Sequence, residues 1–427
     1  MKFENTLDFA QSLDKNDELK DFRNHFYIPL HDGKDCIYFT GNSLGLQPKS
    51  TGDYITQELI DWARLGVNGH VNAMTPWVSY HEIFPEKLSK IAGALPDEIV
   101  VMNALTVNLH LLLTTFYRPT KDRYKIICEA KAFPSDQYAF ESQVLLHGLD
   151  PKEVIVEVTP EIEKYSITTE NILDAIEKHG SSIALVIFGG VNYYNGQVFD
   201  MKSITHAAHK AGAYAGFDLA HAIGNIDLRL HEWNVDFACW CSYKYLNSGP
   251  GGVAGAFIHQ KHISNNSLPR MAGWWGHDKE TRFQMKAEFQ PMPTAEGWQL
   301  SNAPVLLMAA HKASIDIFDE AGMEKLVEKS KRLTGYLLYV LNEINERQHE
   351  PVIEIITPQQ EDQYGCQVSM LILKRGKEIF NALKDQGVVA DWREPNVIRV
   401  APVPLYNTFE DVWTFGKILL DILHKSR

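Results

Sequence analysis

The chain has 427 residues, of which 45% are hydrophobic and 22% are charged, and its formal net charge is −13. This is the composition of a globular protein. The chain is longer than a domain with a single hydrophobic core usually is, so we expect a large domain and a smaller one. The negative charge argues against a nucleic-acid partner and against an anionic membrane surface, because both require basic patches.

The sequence indicates a protein of the reducing cytoplasm. No apolar run approaches the roughly 20 residues of a membrane span, and the N-terminal stretch MKFENTLDFAQSLDKNDELK is charged throughout, unlike a signal peptide. The five cysteines are scattered and odd in number. Cys239 and Cys241 form a CxC pair that we interpret as small buried hydrophobes. A metal site would need a second such pair, so we predict none.

The middle of the chain alternates apolar runs with helical patterns. The runs are EIVVMNAL (98–105), KIICEA (125–130), ALVIFGGV (184–191), AYAGFDLA (213–220) and FACWCSYKY (237–245). Helical patterns follow the first three, beginning near Thr106, near Pro134 and around SITHAAHKAGA. Because the runs are continuous rather than alternating, they predict an α/β fold with a mostly parallel sheet covered by helices on both faces.

The C-terminal part predicts a second, smaller unit. A long helical stretch begins near Asn302 and should hold two helices that break near Ala321-Gly322. The segments QVSMLIL, KEIFNALKDQG and VIRVAP then predict a small α/β domain. We therefore expect an N-terminal segment over 1–50 packing with the small domain, a large domain over 51–301, and an interdomain helix with the small domain over 302–427.

Polar residues follow the apolar runs at the points where ligands bind in such sheets. Leu105-Thr106 opens a helix, whose free N–H groups and hydroxyl could hold a phosphate. Phe133 to Asp136 follow the next run, Asp218 lies in a later run, and Lys244 lies near the end of the last. An anion site, an aromatic face, a carboxylate and an amine are the groups that pyridoxal phosphate needs.

Each of these residues alone has an ordinary structural interpretation. A buried aspartate is more often a cap, a lysine at a strand end more often extends to solvent, and His221 alone would be a core histidine. Asp218 precedes Lys244 by 26 residues, and both are predicted at strand ends. Their combination favours Lys244 as a covalent anchor for the cofactor.

Five motifs resemble the kynureninase family over nearly the whole chain. They are GFDLAHAIGN, CSYKYLNSGPGG, TGNSLGLQP (40–48), GWWGHD (273–278) and RVAPVPLYN (399–407). The aspartate-to-lysine spacing alone would indicate only the wider aminotransferase class V group of fold-type I pyridoxal-phosphate enzymes, which includes cysteine desulfurases. The resemblance implies that fold, a homodimer, and pyridoxal 5'-phosphate as cofactor.

The resemblance also implies roles for cofactor-binding residues. Lys244 would form the Schiff base, Asp218 would pair with the pyridine nitrogen, and Phe133 would stack on the ring. The rest of the cofactor shell would consist of Leu105, Thr106, Ser135, Asp136, His221 and Tyr243. Gly189 stands where animal members have a serine, so no side-chain contact is implied there.

Four further residues match positions that reach the phosphate or the substrate. Trp274 and Asn302 match positions that contribute across a dimer interface, and His70 and Asn302 match positions near the substrate's aromatic ring. Arg399 matches the arginine that holds the α-carboxylate, for which its planar fork is suited. His70 lies in a glycine-bearing loop, so a side chain that is simply exposed to solvent is the alternative to a contact with the substrate's ring.

The implied reaction is the hydrolytic cleavage of L-kynurenine to anthranilate and L-alanine in tryptophan catabolism and NAD-related biosynthesis, with 3-hydroxykynurenine as an alternative substrate. Lys244 would act as the general base at Cα. Tyr243 would relay a proton to Cβ, and a structural phosphate contact is its rival role. The sequence does not rank the two substrates.

Two other functions compete with this hypothesis. A cysteine desulfurase or selenocysteine lyase needs a mobile nucleophilic cysteine, for which Cys366 in QYGCQVSM is the candidate. A non-catalytic cofactor-binding protein could share the fold, because fold does not fix function. The pair His206 and His209 is interpreted as a helix surface rather than a metal site.

Overall fold

The computed structural model describes residues 2–161, 164–265, 267–348 and 350–425. A seven-stranded sheet forms its centre. The strands are β1 (Ile99–Val101), β2 (Lys125–Glu129), β3 (Ile155–Val158), β4 (Ile183–Gly189), β5 (Tyr214–Asp218), β6 (Phe237–Trp240) and β7 (Gly255–Ile258). Their spatial order is β1-β7-β6-β5-β4-β2-β3. The strands from β6 to β3 in this order pair in parallel, whereas β7 is antiparallel to both of its neighbours.

Both faces of the sheet are buried, as the continuous apolar runs predict. Successive residues of β4 enter different cores: Val186 belongs to the core on one face, and Leu185 and Ile187 belong to the core on the other. Side chains of a strand alternate between its faces, so a strand that is covered on both must be apolar at every position.

Helices surround the sheet and continue into the C-terminal part. They are α1 (Leu7–Lys15), α2 (Thr51–Leu65), α3 (Pro85–Ala92), α4 (Leu105–Phe116), α5 (Pro134–Leu146), α6 (Thr169–His179), α7 (Met201–Lys210), α8 (Val305–Ala321), α9 (Met323–Glu346), α10 (Gly376–Lys384) and α11 (Phe409–Lys425). Shorter helical turns include Gly69–Asn72, Trp77–Ile83, Pro151–Val154, Gln260–Ile263 and Trp274–Gly276.

Gly322 separates α8 from α9 with a φ of 77°, a left-handed conformation that favours glycine. The predicted break is therefore confirmed.

A four-stranded sheet forms the second unit. Its strands are β8 (Ile353–Ile355), β9 (Val368–Ile372), β10 (Asp391–Arg393) and β11 (Val397–Val400), in the spatial order β8-β9-β11-β10. Its core also contains Ala10, Leu13, Ile37 and Phe39 from the N-terminal segment. The short strand Ile37–Tyr38 pairs in parallel with Val388–Val389. The domain boundaries at residues 50 and 301 stay a prediction.

The last apolar run of the large sheet is shorter in the structure than the sequence suggests. FACWCSYKY was expected as one strand, but β6 ends at Trp240. Lys244 therefore lies in a turn, four residues beyond the strand. Among the described residues, no helix combines the length and apolarity needed to cross a membrane.

A buried ion pair fastens the N-terminal segment to α9. The Lys329 Nζ lies 2.7 Å from the Asp17 Oδ2, and both side chains are less than one-tenth exposed. Burial lowers the pKa of Lys329, and the charge of Asp17 opposes that effect. A buried charge that loses its partner is strongly destabilising.

We expect Lys329→Met to lower the free energy of unfolding by about 3 kcal/mol, because the Asp17 carboxylate would stay buried without its cation. Urea titration followed by circular dichroism measures this change. Lys331→Met on the same helix is the matched control, because Lys331 is exposed. A loss no greater than that of the control would show that the pair does not stabilise the fold.

Candidate active site

A cavity of about 170 Å³ lies at the carboxyl ends of β2, β4 and β5. Its lining consists of Ala104, Leu105, Thr106, Glu129, Phe133, Ser135, Asp136, Gly189, Val191, Tyr193, Asp218, Ala220, His221, Tyr243 and Lys244. The structure thus brings together nine of the predicted site residues, which come from four separate stretches of the chain. Parallel strands cause this convergence, because their carboxyl ends meet at one edge of the sheet.

The Lys244 amine contacts a histidine that burial keeps neutral. The Lys244 Nζ lies 3.0 Å from the His221 Nε2. Burial, followed by the charge of Lys244, lowers the pKa of His221 well below its ordinary value. The neutral ring accepts a hydrogen bond from the Lys244 amine at Nε2, so its Nδ1 bears the ring proton, and that atom has no partner in the described part of the chain.

The turn that contains Lys244 packs against the TGNSLGLQP motif, which lies far from it in the sequence. The Gly45 N–H donates to the Tyr243 carbonyl at 2.8 Å. A Cβ built on Gly45 would lie 2.3 Å from the Lys244 carbonyl oxygen and 2.2 Å from the Asn247 Oδ1. Only glycine allows backbone to approach that closely, so residue 45 helps to fix the position of the lysine.

Two buried carboxyl groups lie together opposite the amine. Burial, followed by the charge of Asp218, raises the pKa of Asp136 well above its ordinary value. Burial also raises the pKa of Asp218, while the Ala220 N–H at 2.7 Å and the charge of Lys244 oppose it. Both carboxyl groups therefore resist ionisation, and the Ala220 N–H and the charge of Lys244 favour the ionised form at Asp218.

Aromatic residues form the walls of the cavity beside the amine. The Lys244 Nζ lies 5.9 Å from the centre of the Phe133 ring, which meets the Tyr193 ring edge-on at 5.2 Å. Burial raises the pKa of the Tyr243 phenol. The phenol is therefore protonated at neutral pH and can donate a proton.

The first turns of two helices border the other end of the cavity. Leu105 and Thr106 begin the 12-residue helix α4, and Ser135 and Asp136 lie in the first turn of α5, after Pro134. The N–H groups of a first helical turn lack partners within the helix and favour an anion. This end of the cavity can hold a phosphate.

Four predicted residues do not line this cavity. Trp274 is 43% exposed and donates its indole N–H to the Arg282 carbonyl. Asn302 is exposed, and His70 is half-buried with its ring edge-on to Trp77. Arg399 is fully buried behind the cavity wall, where its NH1 donates to the Tyr193 carbonyl.

Sequence reasoning missed Glu129 and Tyr193. The buried Glu129 carboxylate accepts from the Gly189 N–H at 3.0 Å and from the Asn192 amide at 2.6 Å. A Cβ on Gly189 would lie 2.8 Å from the Glu129 Oε1, so this carboxylate occupies space beside the glycine. The signal for Glu129 was its place as the charged last residue of the apolar run KIICE.

Two sequence interpretations concern residues outside the cavity. Cys366 is fully buried, and burial raises the pKa of its thiol to about 12. The interpretation of His206 and His209 as a plain helix surface is wrong for His209, whose Nε2 lies 2.8 Å from the buried Asp236 Oδ2. Asp236 also binds the His262 ring, so these histidines satisfy a buried carboxylate.

Comparison with solved structures confirms the predicted fold class. The chain superposes on the cystine C-S lyase C-DES in complex with cysteine persulfide with a TM-score of 0.75, at 16% identity over 90% of this chain and 97% of that one. It superposes on the apo cysteine desulfurase of Thermococcus onnurineus with a TM-score of 0.73, at 16% identity over 91% and 95% of the two chains. At such low identity the likeness shows the fold alone.

Comparison with known sequences identifies the family. Residues 326–419 match the family model of the kynureninase C-terminal domain. The chain is 57% identical over 419 residues to the kynureninase of Flavobacterium psychrophilum, which covers 98% of each chain. It is 48% identical over 433 residues to the kynureninase of Mus musculus, which covers 98% of this chain and 93% of that protein. This chain therefore belongs to the kynureninase family.

Proposed function

We propose that this protein is a pyridoxal-phosphate-dependent hydrolase that cleaves the Cβ–Cγ bond of L-kynurenine to give anthranilate and L-alanine. 3-Hydroxykynurenine, which would give 3-hydroxyanthranilate, is the second substrate. Family membership supports the activity. The observation that supports it in the site itself is the Lys244 amine, held on neutral His221 beside the Asp136–Asp218 pair in one cavity.

The cavity fits pyridoxal phosphate in its donor set. Lys244 supplies the amine for covalent attachment, the Asp218 carboxyl group suits a protonated pyridine nitrogen, and Phe133 offers a ring face. The first turns of α4 and α5 suit the phosphate. When bound, the cofactor supplies an electron sink for a negative charge at Cα and Cβ.

The chain's own residues would move protons and orient the substrate. The freed Lys244 amine would take the proton from Cα. Neutral His221 would accept a hydrogen bond from that amine, whereas a protonated ring would repel its positive charge. The protonated Tyr243 phenol would donate a proton to Cβ. Arg399 would bind the α-carboxylate of the substrate.

The buried thiol of Cys366 disfavours the desulfurase alternative. A desulfurase needs an accessible thiolate on a mobile loop. Cys366 is fully buried in the core, its backbone N–H donates to the Asn225 side chain, and its pKa is raised. We therefore place this protein in the cytoplasmic catabolism of tryptophan rather than in sulfur transfer.

We propose further that the enzyme is a homodimer whose partner completes each site. Apolar side chains that are 55% to 78% exposed flank two of the predicted residues in the sequence: Trp62, Val67, Val71 and Met74 around His70, and Met271, Phe283 and Met285 around Trp274. The short helix Trp77–Ile83 joins the two segments, since its His81 ring lies 6.4 Å from the Trp275 ring. Apolar surface of this kind is typical of a protein interface.

The activity test uses the cofactor-loaded protein with L-kynurenine, 3-hydroxykynurenine and L-cysteine in parallel. We expect anthranilate fluorescence and alanine from L-kynurenine. Lys244→Ala should lower kcat by about 10³-fold or more, because it removes both the covalent anchor and the base. Lys202→Ala, at an exposed lysine, is the matched control. Normal covalent cofactor attachment in Lys244→Ala, read by mass spectrometry after borohydride reduction, would refute the assignment.

Tyr243→Phe tests the proton relay. We expect kcat to fall by about 10²-fold with little change in cofactor affinity, because the ring stays and only the acidic hydrogen is lost. Tyr245→Phe, at the other tyrosine beside Lys244, is the control, since Tyr245 does not line the cavity. Full turnover in Tyr243→Phe with weakened cofactor binding would assign Tyr243 to the phosphate instead.

Val71→Asp tests the dimer. Val71 is 67% exposed in the single chain, so the change should not impair folding. A carboxylate buried without a partner in the interface should shift the protein from dimer to monomer in sedimentation at micromolar concentration and lower kcat/KM in parallel. Leu373→Asp, at an exposed leucine directly after β9, is the control. A fully active monomer would contradict the shared site.

A further inference from the structure

Arg399 is held by a neighbour on the adjacent strand that none of the sequence motifs indicates. Arg399 on β11 lies directly opposite Asp391 on β10 in the antiparallel register. Its NH2 pairs with the Asp391 Oδ2, and its NH1 donates to the Tyr193 carbonyl. The Arg399 Nε is buried and has no partner among the described residues. The Arg399 guanidinium is thus bound through NH1 and NH2, and it keeps N–H donors, including that of Nε, without a partner among the described residues.

The Asp391 carboxylate serves two guanidinium groups. Its Oδ2 also lies 3.1 Å from the NH2 of Arg393, which stands two residues along the same strand and so on the same face. The Arg399 side chain is 1% exposed, Asp391 14% and Arg393 36%. One carboxylate between two cations leaves a net positive charge, so a second carboxylate can join this group without expelling the first.

This ionic group acts on the site that contains Lys244. The charges of Arg399 and Arg393 contribute, after burial and Lys244, to the lowered pKa of His221. The Tyr193 residue whose carbonyl binds Arg399 has its ring against Phe133 on the cavity wall. The position of the Arg399 fork is therefore linked to the position of the cofactor cavity.

We propose that Asp391 is a positioning residue that holds the Arg399 guanidinium in the orientation in which its remaining donors meet the α-carboxylate of the substrate. This inference rests on the proposed function. Because the two residues face each other across paired strands, the backbone fixes the distance between them. Without the Asp391 charge, Arg399 would lie buried beside Arg393 with a neutral acceptor only, and repulsion between the two cations would move the fork.

The opposite role for Asp391 is competition, in which its charge repels the substrate carboxylate. The two roles predict opposite signs. If Asp391 positions Arg399, its neutralisation weakens binding of a carboxylate; if it competes, neutralisation strengthens that binding. The net positive charge of the group and the two-point fixation of the guanidinium favour positioning.

The test is Asp391→Asn in the cofactor-loaded enzyme. We expect KM for L-kynurenine to rise by about tenfold or more with kcat within about twofold. The reason is that a displaced Arg399 guanidinium weakens binding of the substrate carboxylate and does not take part in the chemical step. Binding of L-alanine, read from the absorbance of the bound cofactor, should weaken about tenfold, while binding of L-alaninamide, which lacks the carboxylate, should not change. Asp385→Asn, at an exposed aspartate of the same unit, is the control.

An unchanged or lower KM, or equal losses for L-alanine and L-alaninamide, would overturn the proposal. If Asp391→Asn does not fold, as its circular dichroism would show, Asp391→Glu keeps the charge but lengthens the side chain. Equal discrimination between L-alanine and L-alaninamide in Asp391→Glu and the parent enzyme would then overturn the proposal. The ligand-binding readout needs no turnover, so a parent enzyme that discriminates L-alanine but does not cleave kynurenine would refute only the proposed function.

Discussion

The contact between the Lys244 amine and the His221 imidazole is the interaction on which the site depends. An amine at 3.0 Å from a ring nitrogen is useful only if the ring stays neutral, and burial provides that condition by lowering the pKa of His221. The same burial raises the pKa of Asp136 and of Asp218, and at Asp218 the Ala220 N–H and the charge of Lys244 oppose that effect. Removal of water from the carboxyl edge of the sheet thus lowers the pKa of the histidine and raises the pKa of the two carboxyl groups, and the charge of Lys244 and the Ala220 N–H act against this rise at Asp218.

The loop over residues 189–197 joins this amine site to the arginine behind it. Glu129 holds the start of the loop at Gly189 and Asn192. The carbonyl groups of the loop then accept from the second unit: that of Tyr193 from Arg399 and from Gln367 at 3.1 Å, and that of Tyr194 from the Ser369 hydroxyl at 2.7 Å. The cavity and Arg399 therefore share one structural support, and a shift of the small sheet would move Arg399 relative to Lys244.

The predicted residues fall into two groups in the single chain. The residues around the amine converge in one cavity, whereas His70, Trp274 and Asn302 lie outside it near exposed apolar surface. An isolated chain would leave that surface in water at a hydrophobic cost. In the homodimer that we propose, association of two chains would bury the surface and bring these three residues to the site of the partner.

The sequence by itself determined the order of the elements, the parallel sheet, the helix break at Gly322, and the positions of Asp218 at the end of one strand and of Lys244 after another. These features follow from local patterns: apolar runs, helix signals and the rule that carboxyl ends of parallel strands share an edge. Only the tertiary structure decided that β6 stops before Lys244, that Gly45 supports the lysine turn, that Glu129 occupies the space beside Gly189, and that Asp391 faces Arg399. These are contacts between residues far apart in the chain or across a strand register, and no local pattern specifies them.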